Sequence, residues 1–561
     1  MAASTVQRLL RLWLKFSAAN RFDDATWQPR ATQEEKLLEI IRRNANSAYG
    51  REHGFDRIRT IADFQERVPH NNYDALSPYV ERMLQGEANV LTMDSPLMFA
   101  TTSGTTGRSK FIPVTPSYLE EYGHGVHVHT YRVFTDFTDI LEGKILVSSS
   151  SDVEGRTEGG VPYGAISGYL TRKQPGSIKR FYVLPYEVCK IKDVDKKYYV
   201  TLRYALASDV RMIATPNPSS MLLLADKLDA FGERLIRDIR KGSIDPAFLP
   251  EHGSSKLIAA AHADPRRADE LEARIRESGR LIPAEVWPNL RLLSCWKGGT
   301  MPLYLRKLPE LYGDVPVRDL GYMASEGRGA TPLVNSGAGG VLNLTSHFFE
   351  FVRAEQRDDP AAEFLTADEL ESNREYYVYF TTSAGLYRYD INDVVRVVDF
   401  YRNTPVLQFE RKGQGIMSIT GEKLTESQVT GALVEVVDAN GYDVRHFTAA
   451  VEWGEPPRYA LYAELGESMT TEQARELAAR IDRALCQRNE EYQTKRESQR
   501  LGSPVLKRVA PGTYQVLRQR RVAEGAPEAQ VKLPQLSTSM TFGDGLEVLE
   551  EIPAEPEGMP A

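Results

Sequence analysis

Apolar and polar residues follow two different periods along this chain, and the change of period divides it. Residues 34–50 (EEKLLEIIRRNANSAYG) repeat apolar positions at helical spacing and end at Gly50, predicting a helix closed by a glycine. Ser117 and Glu120 have capping-box spacing, which places the start of another helix near residue 117. Stretches 220–241 and 268–279 read as helices, whereas KILVSSSS (144–151), RMIATP (211–216) and LRLLSC (290–295) read as strands. Strands alternating with helices in this way predict an α/β architecture. The segment 7–22 (QRLLRLWLKFSAANRF) is amphipathic, and a first helix laying Leu9, Leu10, Trp13 and Phe16 on the core is expected.

From 376 to 410 the texture changes. YYVYFTT, LYRYDINDVVRVVDF and TPVLQFE are β-rich and separated by short turns, which predicts an antiparallel sheet or barrel. Within them GLYRYDINDVVRVV (385–398) reads as two strands joined by a turn bearing Asp390 and Asp393. The acidic stretch 354–375 reads as a solvated connection. Gly413 and Gly415 offer the backbone freedom of a hinge. Helices over 425–439 and 470–490, with HFTAAVEW and RYALYAEL as strands between them, form a compact second domain. The expected organisation is a large N-terminal domain over 1–411 and a small, mobile α+β domain over 412–545. A tail over 546–561, rich in Pro and Glu, is expected to be disordered.

Composition narrows the function classes. A chain of 561 residues is expected to hold two to four domains, and 42% hydrophobic with 26% charged residues is ordinary for a globular protein. A net charge of −8 gives no electrostatic case for nucleic acid or an anionic membrane, and no apolar run reaches the length of a membrane span. Cys189, Cys295 and Cys486 stand in no metal or redox spacing, so a reducing, cytoplasmic compartment is expected. His124, His127 and His129 fall within six residues. Only the first two have a ligand spacing for a helix, and Gly123 and Gly125 weaken that helix, so packing is favoured over a zinc site.

The segment with the most specific chemistry is TTSGTTGRSKFIPVT (101–115). Small hydroxylated residues and glycines let backbone N–H groups approach an anion, and Arg108 and Lys110 neutralise charge, so a polyphosphate ligand is expected. The lysine is followed by Phe111, which excludes the Walker A pattern. GYMASEG (321–327) sets Tyr322 four residues before Glu326, and EGAPEAQVKLPQ (524–535) isolates Lys532 in a loop. Taken singly, each of these residues reads as core, turn or solvated surface.

Together, and in this order, the segments resemble the auxin-responsive promoter protein family, the acyl acid–amido synthetases within the adenylate-forming enzymes. The resemblance runs from about residue 36 to 540 and includes RRNANSAYG, VPHNNYDALSPYVERMLQGE, IATPNPSSMLLLAD, FFEF (348–351) and the run from Arg411 to Glu426. It implies a large adenylating domain of β/α sheets plus a β-barrel, with ATP and Mg2+ as cofactors. By the resemblance, Thr102, Ser103, Gly104, Thr105 and Thr106 wrap the ATP phosphates, Tyr322 stacks on adenine, and Glu326 holds Mg2+. Asp393 accepts from the ribose hydroxyls with Arg411 nearby, Lys423 lies close to the nucleotide, and Lys532 swings in for adenylation. The helix bearing the histidine cluster is implied to lie beside the acyl pocket, which Trp296 and Met301 are candidates to line.

The chain departs from the family pattern at two places. Asn392 stands where a glycine usually precedes the ribose-binding acid, and Asn tolerates the left-handed geometry that turn needs. Val531 and Pro534–Gln535 flank Lys532 where the family has Tyr and a Pro-Arg pair. The activity implied joins a small carboxylic acid to an amine, usually of an amino acid, through an acyl-adenylate. An acyl-CoA ligase and a non-catalytic nucleotide-binding protein are the alternatives on the same scaffold.

Overall fold

The computed structural model describes residues 3–102, 110–299, 301–357, 359–413, 415–417, 422, 424–454, 456–497, 501–524, 528, 531–537, 539 and 541–554. The chain forms two compact units, Met1–Phe409 with Gly525–Gln530, and Glu410–Glu524 with Val531–Ala561.

The first unit contains a parallel sheet of four strands in the order Lys144–Val147, Val210–Ala214, Leu292–Ser294 and Val317–Arg318. Its register aligns Val147, Ala214, Ser294 and Arg318 in one row at the C-terminal edge. Helices Val194–Leu206 and Ser219–Lys241 connect successive strands, as parallel pairing requires. The buried faces of both, with Trp287 and Leu293, build one hydrophobic core. A second, antiparallel sheet runs Phe348–Arg353, Glu375–Thr381, Tyr389–Tyr401, Thr404–Lys412, Gly340–Leu342 and Ala330–Thr331. Six of the seven residues in Glu375–Thr381 are buried, so both faces of this sheet are covered and its sequence loses the simple alternation of a half-exposed strand.

The second unit is a five-stranded mixed sheet in the order Leu536–Ser537, Val444–Glu452, Arg458–Leu465, Val505–Val509 and Val548–Pro553. Helices Glu426–Asn440 and Thr471–Arg488 each begin with a complete capping box, at Thr425/Gln428 and Thr470/Gln473.

Several local expectations need correction. The first helix, Ala3–Leu14, buries Leu14 and packs Val6 and Leu10 against the core, while Leu9, Trp13 and Phe16 are more than half exposed. Positions 6, 10 and 14 form an i, i+4, i+8 line, and that line, not the more hydrophobic neighbouring one, meets the body of the unit. The helix expected over 34–50 starts earlier, as Pro29–Asn44, and a separate turn, Ala48–Glu52, contains Gly50. The later helix, Pro116–Asp136, is capped by Thr115, whose hydroxyl accepts from the Tyr118 N–H at 3.3 Å; Ser117 accepts from Arg43 instead. That helix continues through both glycines. At Gly125 a Cβ would lie 2.6 Å from Arg328 Cδ, so glycine there admits a crossing side chain. In place of the strand pair expected over 385–398 there is one strand, Tyr389–Tyr401, with a register shift opposite Tyr377 and Tyr379. The stretch 354–375 buries Leu365, Ala367 and Leu370, and Leu365 bridges to Phe351. In the expected disordered tail, Val548–Pro553 is a strand paired antiparallel with Val505–Val509.

Candidate active site

The strand Val317–Arg318 leads into a loop that local hydrogen bonds hold tightly. Asp319 accepts from the backbone N–H groups of Gly321 at 2.5 Å and Lys297 at 2.6 Å. Burial pushes its carboxyl up to about 6, against the pull of those two donors. Gly321 has φ +88°, and a Cβ there would meet the Ala330 carbonyl oxygen at 2.2 Å, so the turn requires glycine. The Tyr322 carbonyl accepts from Gly329 and Ala330, which closes the loop on itself. At Gly329 a Cβ would stand 2.4 Å from the Tyr322 ring.

Tyr322 and Asp393, 71 residues apart, meet here: the tyrosine hydroxyl donates to Asp393 Oδ2 at 2.8 Å. Both are buried, and the Tyr322 ring lies nearly parallel to Phe409 with centroids 6.2 Å apart. Burial and the adjacent Asp393 carboxylate drive the Tyr322 pKa far up, so its hydroxyl remains a donor. Asn392 takes φ +57°, the left-handed geometry expected where glycine was missing, and its N–H donates to Asp390 Oδ1 at 2.7 Å.

Glu326 sits in the same loop, buried to 7% exposure. Two side chains fix the residues on either side of it. Tyr118 donates its hydroxyl to the Ser325 carbonyl at 2.7 Å, and the Arg328 N–H donates to His347 Nε2 at 3.2 Å. Because Nε2 accepts, the His347 proton resides on Nδ1, which faces Glu121 Oε2 at 3.3 Å. Glu121 also meets Lys36 Nζ at 3.1 Å and accepts from Ser383. Burial alone would raise the Glu121 carboxyl; the His347, Lys36 and Ser383 contacts outweigh it and hold the pKa at about 2.

The strands on either side of residues 103–109 share the hydrophobic core that holds Tyr322. Met98–Thr102 and Lys110–Val114 pair antiparallel, with Thr102 opposite Lys110. The Phe111 N–H donates to Tyr73 Oη at 2.8 Å, and Lys110 Nζ lies 5.5 Å from the Tyr73 ring centre. Tyr389 belongs to the same core as Tyr322 and Ile112. Its ring is fully buried, and its hydroxyl has no hydrogen-bond partner among the described residues. Burial first, and then the negative fields of Glu326, Tyr73, Asp390 and Asp393, raise its pKa.

Other expected positions stand as follows. Ser103, Gly104, Thr105, Thr106 and Lys423 lie outside the described residues, and of Thr102 only the strand position is described. Arg411 and Lys532 belong to the second unit: Arg411 lies near the end of Thr404–Lys412, and Lys532 is exposed. The Lys532 charge counteracts the burial that raises Glu426. The three clustered histidines diverge. His124 bonds the Thr345 carbonyl, His129 the Asp319 carbonyl, and His127 packs edge-on to Trp13. Among the described residues no group of three or more His, Cys, Asp or Glu side chains forms a metal cluster.

Comparison with known proteins settles the ancestry of this arrangement. Three family models match in chain order: the GH3 family N-terminal domain over 18–317, the central domain over 340–412 and the C-terminal domain over 427–541. The chain belongs to the GH3 family. Among its GH3 relatives is a probable indole-3-acetic acid-amido synthetase, GH3.12, of Oryza sativa subsp. japonica. It is 26% identical, with 91% of this chain and 92% of that protein covered. Jasmonoyl--L-amino acid synthetase JAR6 of Nicotiana attenuata is also 26% identical, with 94% of each chain covered. The fold matches that of the GH3.15 acyl acid amido synthetase at a TM-score of 0.84, with 22% identity and coverage of 96% and 97%. None of Tyr73, Glu121, His347 and Tyr389 was singled out from sequence: the first and last lie inside the recognised segments without being picked out, and Glu121 and His347 lie outside them. Tyr389 stands four residues before Asp393 in a strand, and what distinguishes it is a buried hydroxyl without a hydrogen-bond partner among the described residues.

Proposed function

We propose that this GH3 protein is an ATP-dependent acyl acid–amido synthetase. It converts a small carboxylic acid and ATP to an acyl-adenylate and pyrophosphate, then passes the acyl group to an amine, that of an amino acid. The observation that carries the reading is the meeting of Tyr322, Asp393, Glu326 and Tyr389 near the paired strands Met98–Thr102 and Lys110–Val114 in a chain matched by all three GH3 domains.

The chemistry explains why these groups are needed. A carboxylate is a poor acyl donor because its leaving group would be oxide; attack on the α-phosphorus of ATP exchanges oxide for AMP. Negative charge accumulates around phosphorus in that step, so fixed donors and cations aimed at it lower the barrier. Thr102, Ser103, Gly104, Thr105 and Thr106 would bind the phosphates through N–H and O–H donors. Tyr322 offers a flat ring backed by glycine, and Asp393 a carboxylate acceptor for ribose hydroxyls; both fit a nucleoside. One acidic side chain also fits a hard cation that arrives with the triphosphate, because Mg2+ takes one or two carboxylates and completes its shell with phosphate oxygens and water. Glu326 would hold it, and Mg2+ would supply charge neutralisation of the phosphate oxygens.

Arg411 and Lys423 would contact the nucleotide from the small domain, and Lys532 would bring an ammonium to the α-phosphate during the first step. The two half-reactions need different surroundings, so rotation of the small domain about 412–415 would separate them. A cytoplasmic setting suits the ATP supply, and among the described residues no helix is long and apolar enough to cross a membrane.

The test is a pyrophosphate-release screen crossing carboxylic acids with amino acids, with products identified by mass spectrometry. Acid-dependent release and an amide product are expected. Coenzyme A thioesters without amide would move the assignment to an acyl-CoA ligase, and nucleotide binding without turnover on any acid would leave a non-catalytic binder.

A further inference from the structure

The helical segment from Ala3 to Ala25 carries two apolar lines, and the body of the protein uses one of them. Val6, Leu10, Leu14, Ala18 and Phe22, four residues apart, pack into the first unit. Gln7 pins the helix on that side: its side chain donates to the Phe137 carbonyl at 2.6 Å and accepts from the Leu141 N–H at 2.9 Å. The second line is Leu9, Leu12, Trp13 and Phe16. Leu9, Trp13 and Phe16 are each more than half exposed, and Leu12 is 42% exposed. Phe16, at 71%, protrudes where Lys15–Ala19 winds as a wider π turn, a departure frequent at functional positions.

Charge decides what such a face meets. The chain is acidic overall, but residues 1–22 hold Arg8, Arg11, Lys15 and Arg21 and no acid. Asp23, the first acid, is already paired with Arg132 at 2.8 Å. At the helical period the four apolar side chains span an arc of about 100°, and Arg8, Arg11 and Lys15 fill an adjoining arc of about 60°. Lys15 Nζ lies 6.0 Å from the Phe16 ring centre, so charge and apolar surface stand side by side. A protein partner needs more area: these four side chains offer roughly 500 Å², against about 800 Å² per partner in a stable interface. An aromatic and aliphatic stripe flanked by cations is instead the composition that lies in a lipid headgroup layer.

We infer that this face docks the protein on an anionic lipid bilayer. Leu9, Trp13 and Phe16 enter the boundary between headgroups and acyl chains, and Arg8, Arg11 and Lys15 reach the anionic headgroups. The helix lies on the surface and does not cross it, since Val6, Leu10 and Leu14 stay packed on the protein. The net charge of −8 opposes attraction of the molecule as a whole, so the contact is local, reversible and sensitive to salt. This docking is independent of the synthetase reading and needs no turnover.

The test is co-sedimentation of the full chain with phosphatidylcholine vesicles containing about 30% phosphatidylserine, at low and at high salt. The unmodified protein should pellet with them at low salt, bind pure phosphatidylcholine about 100-fold more weakly, and be released as salt rises. Replacing all three cations, by Arg8→Gln, Arg11→Gln and Lys15→Gln, should weaken binding about 100-fold, from roughly fivefold per charge. Leu9→Ser with Phe16→Ser should weaken it about tenfold or more. Both side chains are exposed, so the circular dichroism of that variant should match the unmodified protein. No pelleting on phosphatidylserine vesicles, equal binding to both vesicle types, or binding that survives either set of substitutions overturns the inference. So does a dimer in vesicle-free solution, seen by light scattering, that Leu9→Ser with Phe16→Ser dissociates, because a second copy then owns the face.

Discussion

Replacing Glu121 by Gln tests how the acidic loop is held. Glu121 is 3% exposed and contacts Lys36 Nζ at 3.1 Å and His347 Nδ1 at 3.3 Å, with both partners also buried. Its pKa is drawn down from the ordinary 4.5 to about 2, a depression that corresponds to about 3 kcal/mol of native-state stabilisation. Glutamine keeps the shape but leaves the Lys36 ammonium buried without its counter-charge, which costs about 3–5 kcal/mol where a buried pair loses one member. The two routes agree on about 3 kcal/mol, to be measured as a lowered urea-unfolding midpoint at pH 7. The sign with pH follows from the direction of the shift. A depressed carboxyl contributes in full above about 4.5 and loses its contribution as pH falls toward 2, so the gap between the two proteins should close over that window. Adding Lys36→Met to Glu121→Gln should recover part of the loss, because the orphaned charge is then gone. Pyrophosphate release should fall about tenfold as well, since His347 loses its orienting carboxylate and the Arg328 N–H its fixed acceptor. If Glu121→Gln is within 0.5 kcal/mol of the unmodified protein, ordinary for a surface substitution, the relay does not hold the loop.

Other expectations are narrower. Glu326→Ala should abolish adenylation, by about 100-fold or more, in a protein whose circular dichroism shows it still folded; normal pyrophosphate release would remove its metal role. Tyr389→Phe deletes a buried hydroxyl without a partner among the described residues, so stability should hold or improve by up to about 1 kcal/mol. Its KM for ATP should rise, and an unchanged KM would place that hydroxyl outside the site. Lys532→Ala should slow acyl-adenylate formation far more than amide formation from preformed adenylate, and equal slowing of both steps would count against a gate. Burial depresses His129 from 6.5 to about 3, so the native state loses about 2 kcal/mol as pH falls from 6.5 to 5. His129→Gln should flatten that part of the stability profile, measured by urea unfolding at each pH.

Much of the fold was legible because short-range patterns carry it. Helices near 220–241 and 268–279 appear as Ser219–Lys241 and Pro265–Ser278, where apolar spacing and glycine caps act within one element. The left-handed turn at Asn392 was likewise a local matter of which side chains tolerate positive φ. The segments around Tyr322, Glu326 and Asp393 pointed to function only together and in order, and the Tyr322–Asp393 hydrogen bond, which spans 71 residues, is announced by no spacing rule.

The sequence alone therefore determined the αβ alternation, most of the long helices and the candidate nucleotide motifs, all of which depend on neighbours within a few residues. Tertiary structure decided which face of the first helix is buried, because an amphipathic pattern offers a stripe and only the packing partner selects its edge. It made Val548–Pro553 a strand, since an otherwise exposed charged segment was given the Val505–Val509 edge to pair with. It also assembled Lys36, Glu121, His347 and Ser383 from four distant segments into one buried network. A charge is held in an apolar interior only where the fold brings its counter-charge, and that meeting is a property of the folded chain and not of any one segment.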